Sequence, residues 1–148
     1  MAGVFLQVQL DGLAAMQSRL ELLGRIDIAP LRHDLGAVVE SQTRRRISEE
    51  KASPEGEPWK DWSPAYAATR HGGHSLLEDE GNLVDDIHFV VAGEAIEVGS
   101  NLVYAAIQHA GGAEVGIDIP AREYLGLSDG NWSDLVDATD AFVSRVLR

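Results

Sequence analysis

The residue types best suited to chemistry are His71 and His74, which stand shortly before the acidic run Glu78–Glu80. Imidazole and carboxylate groups are both ligands for transition metals. Metal-binding histidines usually depend on rigid supporting elements, however, and the two glycines between these histidines offer none. We therefore expect a mobile loop here. The alternative interpretation is a metal-dependent enzyme that uses the His71/His74 region.

Other signatures of catalysis are missing from the sequence. Asp85 and Asp86 form a pair of carboxylates, but neighbouring residues of a strand point to opposite faces and cannot serve one substrate. The chain has no cysteine, and it has no nucleophile-elbow, phosphate-loop or dinucleotide-binding motif. We therefore predict a protein that is not an enzyme and that uses no metal or cofactor.

Three consecutive arginines, Arg44, Arg45 and Arg46, stand near the end of a long predicted helix. Cations at that position complement the helix dipole, by about 0.3–1 kcal/mol each where they are exposed. Because successive residues lie about 100° apart around a helix, the three side chains cannot serve one surface. Two interpretations stay open: stabilisation of the helix end, or contact of one or two of these arginines with carboxylates of a partner.

Two tryptophans, Trp59 and Trp62, lie in a proline-rich stretch outside any predicted helix or strand. They either hold this loop against the core or anchor a partner protein, since tryptophan is common among interface hot spots. We expect one of them to pack inward and the other to be presented outward.

The stretch Gly99–Leu127 is expected to organise the rest of the fold. It predicts a short helix that Gly111-Gly112 stops, followed by a stiff corner at Pro120-Ala121-Arg122. Arg122 is the only lysine or arginine between Arg70 and Arg145. We expect it to hold the corner through an ion pair with a nearby carboxylate. The carboxylates near it in sequence are Glu114, Asp118 and Glu123.

Hydrophobic periodicity predicts an α+β domain with a small antiparallel sheet. The sheet is expected to hold an N-terminal strand, a central hairpin and a short strand, packed with two N-terminal helices and a C-terminal amphipathic helix. Between the helices and the hairpin we expect a long mobile loop from Lys51 to Ser75. The predicted elements are strand 4–10, helices 11–24 and 27–50, hairpin 87–98, helix 103–110, strand 117–119 and a last helix from Ser128 or Asp129.

Length and charge limit the possible functions further. A chain of 148 residues fits one domain over residues 1–148. Its net charge is −12, with nine Lys/Arg against ten Asp/Glu in residues 1–74 and three against fourteen in residues 75–148. Such acidity disfavours nucleic-acid binding, which relies on neutralising phosphates. We also expect no signal peptide and no membrane span, because no apolar run is long enough.

Short motifs spread over roughly residues 40–130 carry the most specific signal. They are Pro54-x-Gly56-x-Pro58-Trp59, Leu76-Leu77, Gly81-x-Leu83, Val98-Gly99-Ser100, Tyr104-Ala105, Gln108-His109-x-Gly111, Ile119-Pro120-Ala121-Arg122 and Leu125-Gly126. In this order and spacing, they resemble the virion-morphogenesis, or tail completion, proteins of Mu-like and P2-like tailed phages and prophages. The family commonly has proline and phenylalanine where this chain has Glu123 and Tyr124. Tyrosine keeps the aromatic packing, whereas the absent proline removes some stiffness from the corner.

The resemblance implies a non-enzymatic structural protein that acts in tail completion or head–tail joining. It further implies a ring of subunits, with head–tail connector or tail proteins as partners, located in the virion after assembly in the host bacterial cytoplasm. From their types and positions, the residues expected at protein interfaces are Arg44, Arg45, Arg46, Trp59, Trp62 and Arg122. The alternative is a cytoplasmic assembly chaperone or binding module that is not retained in the virion.

Overall fold

Helices provide most of the regular structure in the computed structural model, which describes residues 13–148. The strand predicted over residues 4–10 lies outside the described residues and stays a prediction. The elements are α1 (Leu13–Gly24), α2 (Ala29–Arg45), α3 (Pro64–Ala67), α4 (Asn82–Asp86), β1 (His88–Ala92), β2 (Ala95–Gly99), α5 (Ala105–Ala110) and α6 (Asp129–Val146). Six helices and an antiparallel pair of strands confirm the α+β class for this part of the chain.

The long second helix begins and ends where the sequence predicts. The Asp27 carboxylate accepts a hydrogen bond from the Ala29 N–H (2.9 Å), and Pro30 lies in the first turn, where proline is tolerated. After Arg45 the helix continues as one π-helical turn, Arg46–Glu50. It stops at Lys51, which adopts a left-handed conformation (φ 52°) and donates its N–H to the Arg46 carbonyl.

The hairpin packs closely against this helix. Phe89 in β1 pairs with Val98 in β2, and its ring lies over Gly36 of α2. A Cβ atom at Gly36 would come within 2.3 Å of that ring, so only glycine lets the strand approach so near. His33, one turn earlier, meets the same ring edge-on at 5.1 Å between centroids.

The core forms where the π-helical turn, α4, α5 and the start of the hairpin meet. Its buried apolar side chains are Ile47, Trp59, Leu83, Ile87, Ala105 and Tyr124. They come from segments far apart in sequence, so that the core joins both halves of the chain. Helix α2 lies between the hairpin and α6 and contacts both.

Helix α6 has the capping box of a well-defined N-terminus. The Ser128 hydroxyl accepts from the Asn131 N–H, and the Asn131 side chain accepts from the Ser128 N–H, both at 3.1 Å. Only part of its predicted apolar stripe is covered: Phe142 is buried, whereas Trp132 and Val136 are exposed. No helix within residues 13–148 has both the length and the apolarity that a membrane crossing requires.

Two local predictions are wrong. Residues 117–119 do not form a strand, because their backbone bonds back to Gly112: the Ile117 N–H donates to the Gly112 carbonyl and the Gly112 N–H to Ile119. Asp85 and Asp86 end the short helix α4 and are not part of a strand. In both places a compact local turn satisfies the backbone hydrogen bonds that a strand would have left for a neighbour.

The segment from Lys51 to Ser75 contains more structure than a free loop. Ala52 pairs with Pro58 in an isolated bridge, and Ser63 caps α3 by accepting from the Tyr66 N–H. The ammonium group of Lys51 binds the Ser75 hydroxyl, the Leu76 carbonyl and the Glu78 carboxylate at 2.8–2.9 Å. Both ends of the segment are therefore tied to each other.

We predict that mobility in this segment concentrates around Arg70, which exposed residues His71–Gly73 follow. Trypsin should cut there first in the free subunit, because the backbone after Arg70 is exposed at residues 71–73, whereas the Lys51 ammonium is bound on three sides and the Lys60 carbonyl accepts from the buried Arg122. Mass spectrometry of early digestion products gives the order of cuts, and assembled particles should protect Arg70. Cleavage after Lys51 as fast as after Arg70 would contradict this order.

Candidate interaction site

A groove of 880 Å³ opens between the segment around residues 60–80 and the stretch around residues 104–122. Aromatic and aliphatic side chains form much of its wall. These are Trp62, Tyr66, Leu77, Leu83, Tyr104 and Ile119. A concavity with apolar walls and charged edges is the usual form of a site for a ligand or a protein segment.

Two adjacent glycines bring the far wall of this groove into place. Gly111 has φ 81°, and a Cβ atom there would lie 2.8 Å from the Ala121 nitrogen and 3.0 Å from the Ile119 carbonyl oxygen. The corner at Pro120-Ala121-Arg122 therefore packs directly on the end of α5, where the Arg122 N–H donates to the Gln108 carbonyl (3.0 Å). The predicted double-glycine stop and corner are confirmed.

This close approach gives a matched pair of variants. Gly111 and Gly116 both have positive φ (81° and 72°), but a Cβ atom at Gly116 meets nothing within 4 Å. We expect Gly116→Ala (φ 72°, ψ 22°) to lower the free energy of unfolding by about 1 kcal/mol from backbone strain, and Gly111→Ala by about 3 kcal/mol or more, because Gly111 (φ 81°, ψ 172°) has a conformation that is essentially restricted to glycine and a Cβ atom there also clashes with the backbone. Urea denaturation measures both, and equal losses would show that crowding at the corner is unimportant.

Arg122 joins the two walls of the groove. Its guanidinium is buried and donates from Nε and an Nη atom to the Lys60 carbonyl (3.0 and 2.9 Å). The predicted ion pair with Glu114, Asp118 or Glu123 is wrong within the described structure, because a backbone carbonyl from the opposite wall takes the charged group. Burial lowers the pKa of Arg122, although a guanidinium stays charged in proteins.

Trp59 connects the same two walls of the groove in the opposite direction. It is buried, and its indole N–H donates to the Glu123 carbonyl (3.1 Å), beside Arg122. Trp62 is half-buried at the groove and meets Tyr66 edge-on, with 5.8 Å between centroids. One tryptophan thus faces inward and the other lies at the groove surface, as the sequence predicts.

Tyr124 and His109 fix the end of the corner. Tyr124 is buried, its hydroxyl donates to the Ala105 carbonyl (2.7 Å), and burial raises the pKa of this phenol. His109 Nδ1 accepts from the N–H groups of Tyr124 and Leu125 (3.2 and 3.4 Å). His109 therefore has a structural role, because it joins the end of α5 to the backbone after the corner.

The three arginines separate, as their angular spacing predicts. Arg46 is 1% exposed and binds the carbonyls of Tyr124 (3.0 Å) and Gly126 (2.8 Å) and the Asn131 side chain. Burial lowers the pKa of Arg46, but the group stays charged. Arg44 is half-exposed and binds the Ile87 carbonyl, and the exposed Arg45 binds Glu50 (3.2 Å).

Burial thus divides the six residues expected at interfaces. Arg46, Trp59 and Arg122 serve internal contacts and offer almost no surface to another protein. Arg44, Arg45 and Trp62 remain accessible, and their contact with a partner stays a prediction. The sequence could not separate the two sets, because the same residue types suit buried hydrogen-bond networks and interface hot spots.

The histidine-rich turn lies at one edge of the groove. His74 Nδ1 is 3.0 Å from the Asp79 carboxylate, which also pairs with Arg70 (3.3 Å), and the Arg70 guanidinium lies 4.5 Å over the Tyr66 ring. Across residues 13–148, no three His, Cys, Asp or Glu side chains come together as a metal site would require. His71 is exposed.

Two carboxylates stabilise turns of the chain, Glu78 in the groove wall and Asp86 outside the groove. Burial disfavours ionisation of Glu78, but hydrogen bonds from Lys51 and Ser75 outweigh it, so that the pKa of Glu78 is lowered. The pKa of Asp86 is lowered by hydrogen bonds from the Ser100 hydroxyl and the Asn101 N–H. Both groups favour the ionised form more strongly in the folded chain than in the unfolded one.

These shifts predict a loss of stability in acid. Between the ordinary carboxylate pKa, about 4, and the lower folded-state values, the unfolded chain binds more protons, so that stability falls as the pH falls through this window. We expect Glu78→Gln and Asp86→Asn to be less stable than the parent near neutral pH but to lose less on acidification. Thermal unfolding from pH 7 to pH 2 measures this, with Glu94→Gln in the exposed hairpin turn as the control. Parallel pH profiles for all four proteins would contradict the assignment.

The fold and site define a small α+β domain with a preformed groove whose two walls are joined by buried hydrogen bonds. The sequence profile of the phage virion morphogenesis family matches residues 8–144, and the chain belongs to this family. It is also 30% identical over 122 residues to "Putative capsid assembly protein G" of Escherichia phage Mu, covering 77% of this chain and 78% of that protein. No solved structure matches the chain.

Proposed function

We propose that this chain is a non-enzymatic structural protein of a tailed phage, which acts in tail completion or head–tail joining as a ring of subunits. The observation that carries the proposal is the family match along residues 8–144. This family is one of virion morphogenesis, and the match spans every helix and strand of the fold apart from the end of α6. The relative in phage Mu, whose name refers to capsid assembly, supports an assembly role.

The surface of the chain is suited to contacts with other proteins. Besides the groove, α6 leaves Trp132 and Val136 exposed one turn apart, and the exposed Leu147 follows its last residue. Adjacent exposed apolar side chains of this size mark interaction sites more often than isolated ones do. Arg44, Arg45 and Trp62 add accessible groups of the types that interfaces favour.

Charge supports assembly with proteins rather than with DNA. The half with most of the basic residues, 1–74, is nearly neutral, whereas residues 75–148 carry a strong negative charge. Contacts between unlike halves of neighbouring subunits reduce the repulsion that identical acidic chains experience. The proposed partners are accordingly copies of this chain and the head–tail connector or tail proteins, in the virion and in the host cytoplasm during assembly.

Electron microscopy of particles made without this protein tests the proposal. We expect full heads beside unjoined tails, or tails with an unfinished end, and restoration when the chain is supplied from a plasmid. Missing or misshapen heads would instead indicate action in capsid assembly and would contradict the proposal. Normal infectious particles would contradict any role in morphogenesis.

A cytoplasmic assembly chaperone is the second candidate. The open groove supports it, because chaperones hold partner segments transiently. Quantitative mass spectrometry of purified virions and tails separates the two. A structural ring predicts several copies in every particle. A chaperone predicts the protein in lysates of infected cells and its absence from purified particles.

A further inference from the structure

Helix α1 stands out because the apolar side chains described in its second half, Leu20, Leu22 and Leu23, have little cover. Every side chain from Arg19 to Arg25 is exposed, including Leu20 and Leu23 at 57% and 44%. In the sequence, Leu13, Met16, Leu20 and Leu23 recur at the spacing of one helix face. A helix of 12 residues is marginal in water by itself, since most helices in proteins are stabilised by packing of such a face.

The groove has the complementary chemistry. Its walls present Trp62, Tyr66 and Tyr104, which suit the leucine face of a helix. Its exposed charged edge is acidic, with Asp61, Glu80 and Asp118 against the single exposed lysine Lys60. Arg19 flanks the leucine face of α1, and Arg25 follows the helix end. Apolar contact in the centre and opposite charges at the edges match an ordinary interface.

We propose that α1 of one subunit docks in the groove of a second copy of this chain. In the free subunit Leu20, Leu22 and Leu23 of α1 are exposed and do not line the chain's own groove. Helix α1 and this groove are different surfaces of each chain, so that their pairing is heterologous and repeats from subunit to subunit. A heterologous contact closes into a ring when the rotation between subunits permits. The inference thus rests on the proposed ring and assigns its subunit contact.

The buried hydrogen bonds of Arg122 and Trp59 give the groove its shape before this contact forms. Arg122 and Trp59 tie its two walls together through carbonyls of the opposite wall, so that the concavity exists before any segment enters. A preformed groove loses little conformational entropy on binding. The conformational entropy lost on binding comes mainly from α1, which joins the rest of the chain through the short connection at residues 25–28.

Disulfide trapping tests the contact directly, because the chain has no cysteine of its own. One chain with Leu20→Cys is mixed with another with Tyr104→Cys and oxidised, in concentrated solution and in assembled particles. We expect a cross-linked heterodimer. The matched control is Leu22→Cys, which is equally exposed at 57% but lies on the opposite side of α1, and it should give only background cross-linking.

A second pair of variants measures the effect on assembly. Leu20→Asp and Leu22→Asp add the same charge at equally exposed positions, so neither should reduce the stability of the monomer appreciably. We expect Leu20→Asp to abolish ring formation and particle yield, and Leu22→Asp to retain both. Circular dichroism confirms that both variants are folded.

Several outcomes would overturn the inference. These are a cross-link between two Leu20→Cys chains, capture of a different phage protein by Tyr104→Cys in particles, equal cross-linking by Leu20→Cys and Leu22→Cys, and no cross-link in particles that contain both chains. Failure of the proposed function is a separate observation, because it would appear as normal particles made without the protein.

Discussion

Arg46→Ala is expected to lower the free energy of unfolding by about 3–5 kcal/mol, a large share of the stability of a domain of this size. The guanidinium is 1% exposed and binds two carbonyls and the Asn131 amide oxygen. Removing it leaves the two carbonyls without this donor, takes one of two hydrogen bonds from the Asn131 oxygen, which keeps the Ser128 N–H, and opens a cavity beside the core. Urea denaturation followed by tryptophan fluorescence, with an unchanged slope, measures the loss.

Arg45→Ala is the matched control for this substitution. Arg45 adjoins Arg46 but is half-exposed and pairs only with Glu50 at the surface, so we expect a change within about 0.5 kcal/mol. Arg46→Lys should fall between the two, because one ammonium group keeps the charge but lacks the planar fork that reaches several acceptors. If Arg46→Ala and Arg45→Ala lose the same stability, the buried network does not hold the end of α2 to the start of α6.

Arg122→Ala is expected to lower the free energy of unfolding by about 2–3 kcal/mol. The variant loses both hydrogen bonds to Lys60 and leaves that carbonyl unpaired between the two groove walls. We also expect trypsin to cut more readily after Lys60, since the wall that contains it loses its attachment. Thermal unfolding and limited digestion of the same samples measure the two effects together.

Two controls separate this effect from general changes in charge. Arg148→Ala removes the same charge at the exposed end of the chain and should change stability by less than about 0.5 kcal/mol. Trp59→Phe keeps most of the apolar volume but loses the bond to Glu123, so a loss of about 1 kcal/mol is expected. Equal melting temperatures for Arg122→Ala and Arg148→Ala would show that Arg122 does not stabilise the groove.

The sequence by itself determined the local elements of this protein. The cap at Ser128, the bond from the Ala29 N–H to Asp27, the positive φ of Gly111 and the alternation around Phe89 depend on neighbours within a few residues. The corresponding helices and hairpin are confirmed, although the N-cap residue of α2 is Ile28 and not Asp27. The separation of Arg44, Arg45 and Arg46 also followed from helix geometry. The motifs of the resemblance correctly indicated the virion morphogenesis family.

Only the tertiary structure decided which polar and aromatic side chains turn inward. Arg46 finds its acceptors 78 to 85 residues away, and Arg122 finds Lys60 62 residues away. A carbonyl has the same chemistry at every position of the sequence, so no residue pattern marks which one a distant guanidinium will meet. The strand predicted at residues 117–119 failed for a related reason, because Gly112 allowed the chain to turn back and satisfy those backbone groups locally. Such choices depend on how the folded segments pack, and the periodicity of a single segment contains no information about that.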